Sequence, residues 1–138
     1  MGVVSDVQDY LEEEGLVDGS TEWKSLRRNR EDKQDKIVVI TEDGGRAPEI
    51  YKATGIGDSA IRDSGVQILV RAERLNGDAA QEQAQAIYDA LHGLTATTLG
   101  ETEYIRVVAL TSEPSFLQDE NERPLVTWAY RLMALASA

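Results

Sequence analysis

Three segments of this chain alternate between two sets of side chains with a period of two, which is the spacing of a β-strand. They cover residues 65–74, 103–111 and 125–135. In the first segment one face holds Val66, Ile68, Val70 and Ala72. A further run, Ile37–Thr41, is β-branched throughout and predicts a strand buried on both faces. The chain is therefore expected to build a sheet.

Two segments predict helices. Residues 5–15 place Val7, Tyr10 and Leu11 on one face, and Gly15 can end the helix in a left-handed conformation. We expect Ser5 to cap its start, with Gln8 at the capping-box position. The second helix covers about residues 79–92, and its start and end signals are Asn76 or Asp78 as the cap and Gly93 as the stop. Its buried stripe is Ala80, Ala84, Ile87 and Leu91.

Two further segments are harder to assign. Residues 22–28 predict a short strand, and because a polar turn at 31–36 separates it from Ile37–Thr41, the two strands are expected to form a hairpin. Residues 42–64 hold several glycines and few apolar side chains, which predicts a long projecting loop that serves as an assembly arm.

These elements predict one domain over residues 1–138 in the order α-β-β-loop-β-α-β-β. The fold class is α+β, with a single, mainly antiparallel sheet of about five strands and two helices on one face. A length of 138 residues suits one domain that needs no disulfide or metal to fold. No apolar run exceeds five residues, so no membrane span is expected, and no signal peptide is visible at the start.

Composition excludes several kinds of chemistry. With no cysteine and one histidine, the chain offers no thiolate nucleophile and no cysteine-based metal site. His92 precedes the helix-ending Gly93, and a structural role at the helix dipole is the favoured interpretation over a base or ligand. Gly55-Ile56-Gly57 is an incomplete phosphate-binding motif, and the acidic residues 119–122 lack calcium-loop spacing. We therefore expect no enzyme activity and no cofactor.

The charges are unevenly distributed along the chain. The formal net charge is −11, which argues against a general nucleic-acid binder and against binding to anionic membranes. Residues 1–22 carry seven acids and no base, whereas residues 24–36 hold six of the fourteen bases. Separated acidic and basic surfaces allow copies of a small protein to dock head to tail. A locally basic hairpin, balanced by its own acids, is an equally good explanation.

The order of several segments resembles the tail-terminator or minor capsid proteins of long-tailed phages. The matching stretches are Ile37–Thr41 with Asp43–Pro48, Gly65–Ala72, Ala86–Gly93, Leu110–Leu117, Asp119–Asn121 and Thr127–Leu132. The resemblance covers roughly residues 35–133, and the region before residue 35 departs from it.

The resemblance implies a structural virion protein rather than an enzyme. Such proteins form a hexameric ring at the head-proximal end of the tail tube, stop tube polymerisation and join the tail to the neck and head-completion proteins. DNA would pass through the ring without sequence-specific binding, and assembly would take place in the host cytoplasm. Subunit and partner contacts are predicted at the basic segment, the arm and the acidic turn, namely Lys24, Arg27, Arg28, Arg30, Arg46, Glu49, Lys52, Asp119 and Glu120.

Other functions remain open at this stage. A ring protein on the head side of the neck is a neighbouring alternative, since both classes are small ring proteins. A cellular α+β domain that binds a small ligand or peptide is another, with Trp23, Trp128 and Tyr130 as possible pocket residues. Trp128 and Tyr130 alternate along one strand face, however, which favours a core position for both.

Overall fold

A computed structural model describes residues 2–27, 35–42, 46–50, 60–100 and 102–135 of the chain. Within these ranges the chain forms two helices and eight strands. In chain order they are α1 (Val3–Glu13), β1 (Lys24–Arg27), β2 (Ile37–Glu42), β3 (Arg46–Ile50), β4 (Ala60–Arg71), α2 (Gly77–Leu91), β5 (Leu94–Leu99), β6 (Thr102–Ala109), β7 (Ser115–Gln118) and β8 (Pro124–Leu135).

The strands form one sheet, which confirms the α+β class. The order is β1-β2-β4-β8-β6-β5, and β3 and β7 lie off this path. Strand β3 pairs with β4, and β7 pairs with β8. All pairings are antiparallel except that of β1 with β2. The sheet holds eight strands rather than about five, because β3, β5 and β7 are short and carry no clear alternation.

The long central strands β4 and β8 organise the sheet. They pair from Ile61 opposite Leu135 to Arg71 opposite Leu125. The edge of β4 that faces away from β8 pairs with β2 along one part of its length and with β3 along another. In the same way, the edge of β8 that faces away from β4 pairs with β7 along one part and with β6 along another. One end of the sheet therefore has five strands in the order β1-β2-β4-β8-β7.

Both helices pack on the same face of the sheet, as predicted. The alternation places every second side chain of the long strands on this face, and these side chains are buried against α1 and α2. The residues that form this core include Val7, Leu11, Val38, Ile40, Val66, Ile68, Val70, Ala84, Ile87, Leu91, Val107, Trp128, Tyr130 and Leu132. We call this the helical face, and the other side of the sheet the open face.

Helix α1 begins earlier than predicted. Its N-cap is Gly2, whose carbonyl accepts a hydrogen bond from the Asp6 amide at 3.1 Å, so Ser5 lies inside the helix and is not the cap. Gln8 is likewise no capping-box residue, because its side chain reaches the Ser25 hydroxyl at 2.5 Å. The predicted stop is confirmed, since Gly15 adopts a φ of 72° just after the helix.

Helix α2 follows the prediction closely. The side chain of Asn76 caps it by accepting a hydrogen bond from the Ala79 amide at 3.3 Å, and Gly93 turns the chain with a φ of 89°. His92 has a structural role just after the helix. Its Nδ1 accepts the Ala109 amide hydrogen at 3.0 Å, and its ring stacks on Tyr88.

A buried hydrogen bond joins helix α1 to strand β6. The Tyr104 hydroxyl donates to the Asp6 carboxylate at 2.7 Å, and both residues are buried. Gly100 lies against this pair in the β5–β6 turn with a φ of 60°. A Cβ at this position would approach Asp6 Oδ1 to 2.5 Å, so only glycine fits here.

Two sequence-based expectations about connections are wrong. Strands β1 and β2 run parallel and do not form a hairpin. Part of the predicted turn, residues 31–34, lies outside the described residues. The segment 42–64 is not a loop throughout, because 46–50 form β3 and 60–64 already belong to β4. The rest of that arm, residues 43–45 and 51–59, also lies outside the described residues. Neither described helix is long and apolar enough to cross a membrane.

Candidate assembly surfaces

The basic edge of the sheet is strand β1, where Lys24 and Arg27 are exposed. A polar network holds this strand in place. Asp18, which has a φ of 55°, accepts the Ser25 amide hydrogen at 2.9 Å and also accepts a hydrogen bond from the Ser25 hydroxyl. Gln8 completes the network by accepting a hydrogen bond from Arg27 Nε at 2.5 Å.

This network covers part of the outer backbone of β1. The Lys24 amide donates towards the β2 side, to the Lys36 carbonyl, so the next amide, that of Ser25, points away from the sheet. That outward amide is the one which Asp18 accepts. Capping of this kind protects an edge strand from adding another strand. The β1 edge therefore presents charged side chains more than free backbone groups.

Lys36 adds a further positive charge beside this edge. Its Nζ lies 2.8 Å from Glu22 and 5.7 Å above the centre of the Trp23 ring. The hydrogen bond to Glu22 raises the pKa of Lys36, and the same bond lowers the pKa of Glu22. The pair is near the surface, so its main effect is to fix the position of the charge rather than to stabilise the fold.

The acidic turn between β7 and β8 has two distinct parts. The Asp119 side chain is 7% exposed and accepts hydrogen bonds at 2.9 Å from the Asn121 amide, the Arg123 amide and Arg123 Nε. Burial opposes the ionisation of Asp119, but the hydrogen bonds from Arg123 and Asn121 outweigh it and hold its pKa below the usual range. Asp119 thus organises the turn, while Glu120 is exposed.

The structure ties this turn to the beginning of β2, which the sequence did not indicate. Arg123 reaches across to the Asp35 carboxylate at 3.5 Å, and Arg71 Nε donates to the Asp35 carbonyl at 3.4 Å. Both arginines are buried. Their side chains lie beside Ile37 and Leu125 on the open face, which neither described helix covers.

The remaining predicted contact residues are only partly placed. Arg46 and Glu49 lie in β3, opposite Asp63 and Ile61 of β4. Arg28, Arg30 and Lys52 lie outside the described residues. The basic edge and the acidic turn fall on different sides of the central strands, so they do not form one site within a single copy.

Strand β7, which the sequence did not predict, lies at the edge of the five-stranded end opposite to β1. All four of its residues are exposed, and the side chains of Phe116 and Leu117 are 57% and 60% exposed. Among the described strands β7 pairs only with β8. The signal in the sequence is weak, because two apolar residues between polar ones also fit a polar loop.

The helices give the molecule an acidic layer. Together α1 and α2 carry seven acids and no lysine or arginine. The acids are Asp6, Asp9, Glu12, Glu13, Asp78, Glu82 and Asp89. Asp6 is buried against Tyr104, whereas most of the others are exposed. In the described part of the chain, no group of three or more metal-ligating side chains comes together.

A family model described as bacteriophage tail terminator protein matches residues 10–134, which is most of the chain. The chain belongs to the bacteriophage tail terminator family. It is accordingly a structural protein of a phage-like tail. The family assignment agrees with the elements described above, since the matched region begins inside α1 and ends inside β8.

A solved structure supports the same fold. A chain from the virion of a native gene transfer agent particle superposes with a TM-score of 0.65 over 97% of this chain and 95% of its own length. The two sequences are 16% identical, so this similarity concerns the fold. No curated protein sequence matches the chain.

Proposed function

We propose that this protein forms a ring, most simply a hexamer, at the head-proximal end of the tail tube. The ring stops tube polymerisation, contacts the tube protein on one side and meets a neck or head-completion protein on the other. The observation that carries this proposal is the match to the tail terminator family from residue 10 to residue 134. The protein is then a virion component that assembles in the host cytoplasm.

The distribution of charge supports a ring built from head-to-tail contacts. The β1 edge carries Lys24 and Arg27, while the turn after β7 carries Glu120. Because these charges lie at opposite edges of one sheet, each copy offers a different surface to each neighbour, and such heterologous contacts close into rings. The arm around Arg46, Glu49 and Lys52 and the segment with Arg28 and Arg30 provide further contacts to neighbours or to the tube.

The same proposal gives the protein no catalytic role and no cofactor. Membership of a family of structural tail proteins supports a non-enzymatic function. DNA passes through the ring without sequence-specific binding. The acidic helices support this part of the proposal, because a surface with acids and no bases repels the DNA backbone wherever it faces the channel.

The experiment is to delete the gene in the phage or phage-like element that encodes it and to image the lysate by negative-stain electron microscopy. We expect filled heads beside separate tubes of uncontrolled length. Complementation with the intact chain should restore joined particles, and this is the control.

Two other results would contradict the proposal. Tails of normal length beside tailless or leaking heads would assign the protein to the head side of the joint. Intact, infectious particles would show that the protein is dispensable for tail assembly.

A further inference from the structure

The two edges of the five-stranded end lie in register, and this suggests how neighbouring copies meet. Pairing runs without a break from Lys24 through Ile37, Arg71 and Leu125 to Leu117. With about 4.8 Å between neighbouring strands, Lys24 and Leu117 of one copy are about 19 Å apart. Both belong to the open face, one at each end of the row.

The chemistry of the two edges is complementary. At β1 the exposed side chains are Lys24 and Arg27. At β7 the exposed apolar side chains Phe116 and Leu117 are flanked by Glu113 and Glu120, which are exposed as well. Successive strand residues point to opposite faces, so Leu117 lies on the open face with Lys24, and Phe116 lies on the helical face with Arg27. Each apolar side chain can cover the aliphatic stem of one base, whose charged end can then reach a carboxylate.

We propose that, within the ring, the β1 edge of one copy docks against the β7 edge of a second copy. Strands β1 and β7 of adjacent copies run antiparallel in this arrangement, because β1 and β8 run in the same direction and β7 runs against them. Continuing the register places Lys24 beside Leu117, and Arg27 beside Pro114 and hence near Glu113. The inference rests on the proposed ring and names the surfaces that close it.

The contact is made mainly by side chains rather than by a continuous backbone ladder. In the register given above, Ser25 faces Phe116, and the outward amide of Ser25 is already bonded to Asp18. A full ladder would require Asp18 to release that amide. Side-chain docking avoids this cost and leaves the Asp18 network intact.

Pairing of β7 with a second β7 is disfavoured by charge. Two antiparallel β7 edges would bring Glu113 of each copy close to Asp119 and Glu120 of the other. Like charges facing each other across an edge are destabilising. The basic β1 edge has no such conflict, so the heterologous contact is preferred.

Crosslinking tests this arrangement directly, because the natural chain contains no cysteine. One chain carries Lys24→Cys and another carries Leu117→Cys, and the two are mixed with a short bismaleimide. Because each chain carries a single cysteine, every crosslink joins two copies. We expect the mixed crosslink to form at least about tenfold faster than a control pair of Lys24→Cys and Glu82→Cys, because docking raises the effective concentration.

Several outcomes would overturn the inference. A mixed crosslink no faster than the Glu82→Cys control excludes this contact. Fastest crosslinking of Leu117→Cys chains to one another supports a symmetric β7 contact instead. The same reagents applied to assembled particles test the contact in place, and there too a rate equal to the control contradicts the proposal.

Charge exchange provides a second, independent test on folded chains. Arg27→Glu on the Lys24→Cys chain, or Glu113→Arg on the Leu117→Cys chain, should each slow the mixed crosslink by about two- to fivefold. Combining both reversals should restore the rate, since the opposite charges meet again. Glu82→Lys on either chain is the matched control. Failure of the combined variants to recover would argue against an Arg27–Glu113 contact.

The outcome of this test is separable from that of the gene deletion. Uncontrolled tubes in the deletion strain, together with crosslinking at the control rate, would leave the terminator function standing and remove the β1–β7 contact. Normal particles without the gene, together with rapid specific crosslinking, would leave the β1–β7 contact standing and remove the terminator function.

Discussion

The helical face and the open face of the sheet are covered in different ways. On the helical face, long apolar side chains from β4 and β8 pack against α1 and α2 in a continuous core. On the open face, Ile37 and Leu125 are also buried, but their neighbours there include the side chains of Arg71 and Arg123. One face is closed by apolar packing alone, whereas buried arginine side chains lie among the apolar residues of the other.

This difference separates stability from assembly. A helix-covered face loses several kcal/mol when a large side chain is truncated, because a cavity remains. Residues at the exposed edges have less to lose, because water fills the gap that a truncation leaves. The edge strands β1 and β7 are therefore the part of the molecule that can change contacts during assembly without loss of the fold.

The sharpest way to break this comparison is to truncate two neighbouring residues of β8 that point to opposite faces. Leu132 is 1% exposed on the helical face, whereas Met133 is half-buried on the open face. Leu132→Ala should lower the free energy of unfolding by about 2–5 kcal/mol. Met133→Ala should cost less than about 1.5 kcal/mol. Urea denaturation measures both, and equal losses would show that the open face is packed as tightly as the core.

A second pair of variants compares two buried tyrosines on the helical face. Tyr104→Phe removes the donor to Asp6 and leaves a buried carboxylate short of a partner, so we expect a loss of about 1–3 kcal/mol. The Tyr130 hydroxyl is also buried, and nothing within the described residues bonds to it. Tyr130→Phe should therefore leave stability unchanged or raise it. A similar loss from both variants would show that Tyr130 has a partner as well.

The sequence predicted the helical face better than the open face for a physical reason. Burial against helices enforces strict alternation, and the pattern of Val66, Ile68 and Val70 records it. The sequence does not show the pairing direction of β1, because a strand of four residues has the same side-chain pattern in a parallel and in an antiparallel pair. The Thr-rich β5 and the exposed β7 likewise lack the apolar contrast on which periodicity depends.

The assembly surfaces were predicted by charge alone, and charge in a sequence does not show how each side chain is held. The run of bases around Lys24 and Arg27 is visible in the sequence, and these two side chains are exposed. Asp119 and Glu120 are both acidic residues in the sequence, yet the carboxylate of Asp119 organises a turn and that of Glu120 is exposed. Only the structure distinguishes the two residues, because it shows that Arg123 donates its hydrogen bonds to Asp119.

Alkaline pH tests the helical face through the same two tyrosines. Burial raises the pKa of Tyr104, and the hydrogen bond to Asp6 raises it further, while burial is the main cause for Tyr130. Both pKa values are above that of an unfolded tyrosine, so the unfolded chain ionises first. Stability is fully present below pH 10 and is lost as the pH rises above it, by at most about 1.4 kcal/mol per pH unit for each group.

Urea titrations between pH 8 and pH 11 measure this loss. Tyr130→Phe should make the decline shallower, because one of the two groups is removed. A decline of the same steepness in the Tyr130→Phe variant would mean that the tyrosine ionises equally in the folded and unfolded chains.

The smallest effect on stability is expected at the β7 edge. Leu117 is 60% exposed at the end of the same row in which Leu125 is buried. Leu117→Ser should change the free energy of unfolding by no more than about 0.5 kcal/mol, as is usual for an exposed position. When Phe116→Cys provides the crosslinking site on the β7 chain, adding Leu117→Ser should slow its crosslinking to Lys24→Cys, because the exposed apolar side chain opposite position 24 is lost. A large loss of stability would place Leu117 in the core of the fold, and unchanged crosslinking would remove it from the contact between copies.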